Sequence, residues 1–253
     1  MAPLTLSASS IGLLLVFRTN QAAARAIEAR KLLGVAKRRS VDVASYFATA
    51  TLSAPKKTAR LRAVAARYCA LSLWALKGAV RPGDAAARAA GAALLDADEL
   101  RWVRAHQRDD DSDSRGVAPA TVALRLRYAL RDLPATAGDA KHHGERAVAD
   151  LCLAFGGCAR LYTTPIPPTY IRHVSRSLVA WLLLLPFATS PSHESAAGLA
   201  LTTFLTAFLL LGIDEIGTQI EEPFSVLPLH ELCLATSRAV AAVADGPPPP
   251  PLK

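Results

Sequence analysis

The spacing of apolar and polar residues follows a helical period along most of the chain, without the sustained alternation that is typical of strands. Residues 4–17 form an uncharged and mostly apolar run that ends abruptly at Arg18. From residue 18 to residue 39 the chain carries seven Lys or Arg residues and a single acid, Glu28. A helix that becomes cationic at one depth is typical of a membrane helix that meets water. The pattern therefore predicts a membrane helix over residues 4–20.

Two later runs are also apolar and uncharged, at residues 178–187 and 198–213. Each is shorter than the ~20 residues that span a bilayer, so we expect the flanking residues to complete each span. Pro191 lies in the turn between the two runs. Together they predict a membrane hairpin whose helices cover residues 170–188 and 197–213.

The remaining segments have the pattern of amphipathic helices. The predicted fold class is all-α, with membrane helices joined to a long helical bundle that faces the cytosol or a stroma. We expect a single domain over residues 1–244, in which the water-facing part comprises residues 21–162 and 214–244. The Pro-rich residues 245–253 are predicted to form a disordered tail.

The formal net charge of +8 indicates an anionic partner, which can be nucleic acid, anionic lipid or a small anion. Nucleic acid is not expected, because the sequence has neither a helix-turn-helix signature nor an aromatic platform for bases. The chain also has no Walker loop, GxGxxG or HExxH motif, and its four cysteines form no CxxC pair. We therefore expect that the protein is not an enzyme and needs no metal or cofactor.

Three residues of the first run lie on one helix face, because Ser9, Leu13 and Phe17 are spaced four apart. In a symmetric ring of such helices they would form stacked rings around an axis, and apolar rings of this kind gate pores by dewetting. Arg18 and Arg25 would then supply positive potential at the pore mouth. The alternative is that this stripe packs against another helix.

Charged residues flank the hairpin in two groups. Arg172 and Arg176 lie four residues apart on one predicted helix face. We expect interhelical charge pairs between these arginines and an acidic segment after the last apolar run. Contact with lipid headgroups is an alternative for the arginines, and a solvated helix end is an alternative for the acids. The acidic residues are Asp214, Glu215, Glu221 and Glu222.

Three segments resemble the bestrophin family of anion channels, in its bacterial and plant or algal branch. The first is residues 17–34, FRTNQAAARAIEARKLLG, although the aromatic residues usual in the family are replaced by Ala26 and Ile27. The second is residues 165–186, PIPPTYIRHVSRSLVAWLLLLP. The third is residues 212–233, GIDEIGTQIEEPFSVLPLHELC. The resemblance covers both ends of the chain.

The resemblance implies an all-helical subunit of a membrane-embedded homopentamer that conducts chloride, and bicarbonate with it, passively through a central pore. In the family, the second membrane helix lines this pore with three apolar rings. Counting back from Arg25, these rings fall on Ser9, Leu13 and Phe17. The implied location is an integral, multi-pass position in a plastid (thylakoid) membrane or in the plasma membrane.

Three features depart from the family pattern. The family's first membrane helix is missing, so we expect an N-terminally truncated sequence. The neck position at Ser9 is polar where the family is usually apolar. Pro223 and Phe224 are followed by Ser225 and Val226 rather than by an acidic calcium clasp, so calcium gating is not expected.

A different class of function is also compatible with the charge pattern. The basic residues between positions 18 and 77 would let a peripheral or soluble helical interaction protein dock on anionic membrane surfaces. Such binding is screened by salt, so this alternative predicts release from membranes by high salt or carbonate. A spanning protein is expected to need detergent.

Overall fold

The computed structural model describes residues 2–51, 55–107, 116–192 and 195–246. The described residues are helical or lie in turns, which confirms the prediction of an all-α fold. Residues 247–253 of the predicted Pro-rich tail lie outside the described residues, and Asp245 ends the last helix. The helices are α1 (Ala2–Ala50), α2 (Pro55–Val80), α3 (Ala85–Leu94), α4 (Ala97–His106), α5 (Pro119–Arg131), α6 (Gly138–Thr163), α7 (Pro168–Thr189), α8 (Ala196–Glu221), α9 (Pro223–Val226) and α10 (Leu229–Asp245).

Helix α1 is a single element of 49 residues. At a rise of 1.5 Å per residue it extends roughly 70 Å, more than twice the thickness of a bilayer core. Its second half is rich in alanine, the residue that favours helix most strongly. The next proline, Pro55, begins α2, a position where a missing N–H group costs nothing.

Contacts divide the chain into two compact units. The first unit comprises Met1–Glu28 and Thr163–Val226, and the second comprises Ala29–Tyr162 and Leu227–Lys253. Helix α1 therefore contributes to both units. Residues 214–244 were predicted to belong to the water-facing part, whereas contacts group residues 214–226 with the two predicted membrane helices.

The core of the first unit is a small apolar cluster between α1 and α7. Ile11 and Leu15 of α1 are buried against Val174 and Leu178 of α7. Both pairs are spaced four residues apart, so each lies on one face of its helix. Burial of each side chain of this size contributes about 2 kcal/mol of free energy, and this burial stabilises the contact between α1 and α7.

Helices α7 and α8 contact each other and carry a large exposed apolar surface. The segments Pro168–Ser192 and Ala196–Glu221 are each long and apolar enough to cross a membrane, by length and composition. Phe208 of α8 is 67% exposed, and most of its apolar neighbours are exposed as well. Monomeric soluble proteins rarely leave such a surface uncovered. The membrane helix predicted over residues 4–20 is not one of these two segments and stays a prediction.

The second unit is organised around α2, which contacts α3, α5 and α10. A buried hydrogen bond of 2.6 Å joins Ser40 of α1 to Ser72 of α2. An ion pair of 2.7 Å joins Arg39 of α1 to Asp150 of α6. The buried contact between Ser40 and Ser72 fixes where α1 meets α2, since an unpaired hydroxyl there would be costly.

A polar cluster connects α4 to α2 and α5 in the same unit. Arg125 donates from Nη2 to Oε1 of Glu99 at 2.8 Å and from Nε to Oε2 at 3.1 Å, while the Tyr68 hydroxyl donates to Oε2 at 2.6 Å. Burial by itself raises the pKa of Glu99, but the hydrogen bonds from Arg125 and Tyr68 lower it further than burial raises it. The carboxylate therefore stays charged at neutral pH and holds the three helices together.

Two adjacent glycines of α6 test the contact between α6 and α1. A methyl group at Gly157 would lie 2.8 Å from both terminal methyls of Leu32, whereas one at Gly156 meets nothing within 4 Å. Both Gly→Ala changes gain up to about 1 kcal/mol of helix propensity. We expect Gly156→Ala to raise the thermal unfolding temperature of the detergent-solubilised protein. The unfolding temperature of Gly157→Ala should be lower than that of Gly156→Ala, because Leu32 must shift. Equal unfolding temperatures for the two variants would contradict this packing.

Candidate functional site

The three residues of the predicted neck lie on the uncovered side of α1. Leu13 is 55% exposed and Phe17 is 51% exposed, and Ser9 is exposed as well. At about 100° per residue, this stripe lies opposite the buried positions Ile11 and Leu15. Within the part of the chain that the structure describes, the stripe is thus left free of helix packing. Its role in lining a pore stays a prediction.

The strongest polar contact of the first unit involves Arg18, which is only 2% exposed. Its Nη1 donates to Ser175 Oγ at 3.0 Å and to Asp214 Oδ1, and its Nη2 donates to Thr218 Oγ1 at 2.9 Å. The carboxylate of Glu221 lies 3.6 Å from Nη2. A guanidinium of α1 is therefore held by side chains of α7 and α8.

The sequence of α8 explains how it forms this site. Asp214, Thr218 and Glu221 are spaced four and three residues apart, so they share one helix face. Gly217, the residue of α8 that is buried, lies on the same side. A β-carbon there would be 3.5 Å from Oγ1 of Thr19, so the backbone of α8 passes close to α1 next to the guanidinium. Close approach at a small residue brings the carboxylates within reach of Arg18.

Arg172 and Arg176 do not form the charge pairs that we predicted for them. Both are exposed, and Arg172 Nε donates to the carbonyl oxygen of Pro168 at 3.2 Å. The physical reason is the orientation of α7. Its buried face carries Val174 and Leu178, which lie two residues from the arginines and therefore on the opposite side of the helix. The spacing of the arginines correctly indicated a shared face, but not the direction in which that face points.

The acidic segment is paired through Arg18 instead, which changes the role expected of this residue. Two carboxylates, those of Asp214 and Glu221, compensate its charge. A buried and compensated arginine contributes little free positive potential, which argues against the pore-mouth role of Arg18; that role stays a prediction. Arg25 is half-buried, and its Nη1 donates to the carbonyl oxygen of Thr164 at 2.8 Å.

The other two acids of the segment are exposed. Glu215 accepts a hydrogen bond of 3.0 Å from Gln219 Nε2, and Glu222 lies beside Ser225 in an open groove at the end of α8. Among the described residues, no three His, Cys, Asp or Glu side chains are grouped closely enough to hold a metal ion. The charges that are paired, those of Arg18, Asp214 and Glu221, join α1 to α8.

The residues missed by sequence reasoning are the hydroxyls that complete the site, Ser175 and Thr218. The signal for Thr218 was present: a polar residue four positions after Asp214 and three before Glu221 extends a polar face on an otherwise apolar helix. Ser175 carried no comparable signal, because only the packing of α7 against α1 brings it near Arg18.

Comparison with known proteins gives consistent results for the whole chain. A family model described as "Bacterial/Fungal Bestrophin protein" matches residues 1–242. "Voltage-dependent chloride channel 1, chloroplastic" of Arabidopsis thaliana is 32% identical over 231 residues, which are 91% of this chain and 53% of that protein. A "voltage-dependent anion channel-forming protein" of Mesorhizobium japonicum is 28% identical over 98% of this chain and 77% of its own length. The chain thus spans about half the length of the Arabidopsis relative.

Solved structures show the same fold. The crystal structure of a point mutant of a bacterial bestrophin homologue from Klebsiella pneumoniae superposes with a TM-score of 0.83, at 22% sequence identity. The match covers 97% of this chain and 88% of the Klebsiella chain. At this identity the likeness concerns the arrangement of helices.

Replacing Arg18 tests the buried ion pair. Arg18→Met leaves Asp214 and Glu221 without a cation, and we expect it to lower the free energy of unfolding by about 2–3 kcal/mol, since both carboxylates are only partly exposed. The measurement is denaturant unfolding in detergent. Arg176→Met, which removes an exposed arginine of the same unit, is the matched control and should cost less than about 0.5 kcal/mol. Similar losses in both variants would contradict the geometry described for Arg18.

Proposed function

The chain belongs to the bestrophin family, and we propose that it is a subunit of an anion channel that conducts chloride, and bicarbonate with it, passively. The observation that carries the proposal is the division of α1 into two faces. One face is anchored by Ile11, Leu15 and Arg18, and the opposite face leaves Leu13 and Phe17 exposed. An apolar stripe on an anchored helix is suited to form the hydrophobic neck of a pore.

Two observations support an anion as the transported species: the net positive charge of the chain and the names of its relatives. The chain carries eight more cationic than acidic side chains, which favours anions over cations near its surface. The Arabidopsis and Mesorhizobium relatives are named for chloride-channel and anion-channel activity. Of the two arginines expected at the pore mouth, Arg25 remains the candidate. Weakly hydrated anions cross an apolar constriction more easily than cations do, which fits a neck of leucine and phenylalanine.

A neck of this kind requires several copies of the chain. A stripe of three residues on one helix encloses no space, so pore lining needs rotational symmetry about an axis next to α1. The proposed assembly is a homopentamer in which Ser9, Leu13 and Phe17 each form a ring. The ring at Ser9 would be polar, which shortens the dry part of the neck to the two rings that follow.

We further propose an integral, multi-pass position in a membrane. The two candidate spans carry exposed apolar side chains along their length, and the first part of α1 is proposed as a third membrane helix. The Arabidopsis relative is named chloroplastic, so a plastid (thylakoid) membrane is the first candidate and the plasma membrane the second. The alternative of a peripheral or soluble interaction protein is not favoured, since most of the large exposed side chains of α7 and α8 are apolar.

Extraction from membranes distinguishes these two classes. Alkaline carbonate and high salt remove proteins held by surface charge, because they screen or neutralise that attraction. We expect the chain to stay in the pellet under both treatments and to be released by a mild detergent. The measurement is the fraction of protein in the supernatant after centrifugation. Release by carbonate alone would contradict an integral position.

Flux measurements on the purified chain in liposomes test the neck. We expect chloride and iodide flux above that of protein-free liposomes, with iodide favoured because it sheds water more easily at an apolar constriction. Phe17→Ala and Leu13→Ala widen the neck, so the ratio of iodide to chloride flux should fall on the order of twofold. The matched control is Phe208→Ala, which removes an exposed phenylalanine of α8. An equal change in the control, or no flux from the unaltered chain, would contradict the proposal.

A further inference from the structure

We propose that Arg18 is a positioning residue for the neck: it fixes the rotation of α1 about its own axis, so that Leu13 and Phe17 face away from α7 and α8. This inference rests on the proposed function, because it concerns the same neck. It replaces the pore-mouth role that the sequence suggested for Arg18. The role is indirect, since the guanidinium is buried in the first unit on the anchored side of the helix.

Next to the proposed neck, at residues 13–17, the apolar contacts of α1 do not specify its rotation. Residues 13–17 read Leu-Leu-Leu-Val-Phe, so every one of these positions carries an apolar side chain of substantial size. Turning the helix by one position would replace Leu15 with another aliphatic residue against Val174 and Leu178. The hydrophobic effect is not directional and depends mainly on the area removed from water. Ile11, flanked by Ser10 and Gly12, favours the observed rotation, but apolar burial at residues 13–17 does not distinguish it from neighbouring rotations.

Arg18 removes this degeneracy because its contacts are directional and come from two helices. It donates hydrogen bonds to Ser175 of α7 and to Asp214 and Thr218 of α8. Another rotation of α1 would withdraw the guanidinium and leave Asp214 and Glu221 without a cation. Planar guanidinium groups hold several acceptors in a fixed arrangement, which a point charge cannot do.

The place of Arg18 in the sequence couples it directly to the neck. It follows Phe17 without an intervening residue and lies about one turn after Leu15, a buried apolar residue of the same face. A rigid helix transmits the orientation of one residue to its neighbours. Fixing the guanidinium thus fixes the direction of the Phe17 ring, and with it the width of the proposed neck.

A double-mutant cycle tests this coupling through ion selectivity. Arg18→Lys keeps a cation near Asp214 but cannot reach Ser175 and Thr218 together with it. We expect it to change the iodide-to-chloride flux ratio about twofold in the unaltered chain, and by less than about 1.3-fold when Phe17 is already replaced in Phe17→Ala. Arg176→Lys, an exposed arginine of α7, is the control and should leave the ratio unchanged. The unfolding temperature of each variant is measured alongside.

The outcomes separate this inference from the proposed function. Equal effects of Arg18→Lys in both backgrounds would overturn the positioning role, while an effect of Phe17→Ala alone would leave the channel proposal intact. No flux from the unaltered chain would overturn the channel proposal, and the rotation is then decided by thiol labelling, which needs no flux.

The labelling experiment compares two cysteine variants in detergent, each in a Cys152→Ser background because Cys152 is the half-buried native thiol among the described cysteines. Leu13→Cys should react with a charged maleimide at least about tenfold faster than Leu15→Cys, which lies on the buried face. Adding Arg18→Lys should bring the two rates closer together. An unchanged ratio of rates would overturn the positioning role whatever the flux results are.

Discussion

The first unit depends on one constraint, which is that the charge of Arg18 cannot be buried without partners. Removing a guanidinium from water is costly unless carboxylates and hydroxyls replace the lost hydration. Asp214, 196 residues further along the chain, supplies the nearest carboxylate, and Ser175 and Thr218 supply hydroxyl acceptors. Three helices from distant parts of the sequence therefore meet at a single side chain. The apolar cluster of Ile11 and Leu15 with α7 stabilises the same contact between helices by burying apolar surface.

The same constraint decides which surfaces remain uncovered. Once Arg18 faces α7 and α8, the opposite stripe of α1 has nothing to pack against within the described chain, and the outer faces of α7 and α8 stay apolar and exposed. Exposed apolar surface on this scale requires lipid or another protein chain to cover it. A single chain in water would therefore leave a large apolar surface uncovered. In the proposed assembly, a bilayer would cover α7 and α8, and further copies of the chain would surround the stripe.

The sequence predicts the elements well and their contacts less well. Uncharged runs of limited length located α7 and α8, and the spacing of Ser9, Leu13 and Phe17 correctly indicated a shared face, because both signals are local and periodic. The predicted partners of the acidic segment, Arg172 and Arg176, were wrong. Arg18 was not considered as a partner because it directly follows an apolar run, a position that is typical of a residue that has reached water. Only tertiary contact reveals its burial. The polar face formed by Asp214, Thr218 and Glu221 on an apolar helix was the available signal that a buried cation must lie opposite.

A hydrophobic neck has a requirement that explains why the orienting residue lies beside it rather than within it. The two rings at Leu13 and Phe17 must be apolar to stay dry, so they cannot contain the polar groups that distinguish one helix rotation from another. The contacts that set the rotation of the helix must then be made by residues next to the rings. Arg18 occupies the first position after Phe17, and its acceptors lie on α7 and α8, away from the stripe. In the proposed channel, this separation would let the neck consist of interchangeable apolar side chains, while the contacts of Arg18 at its end would determine which of them face the axis.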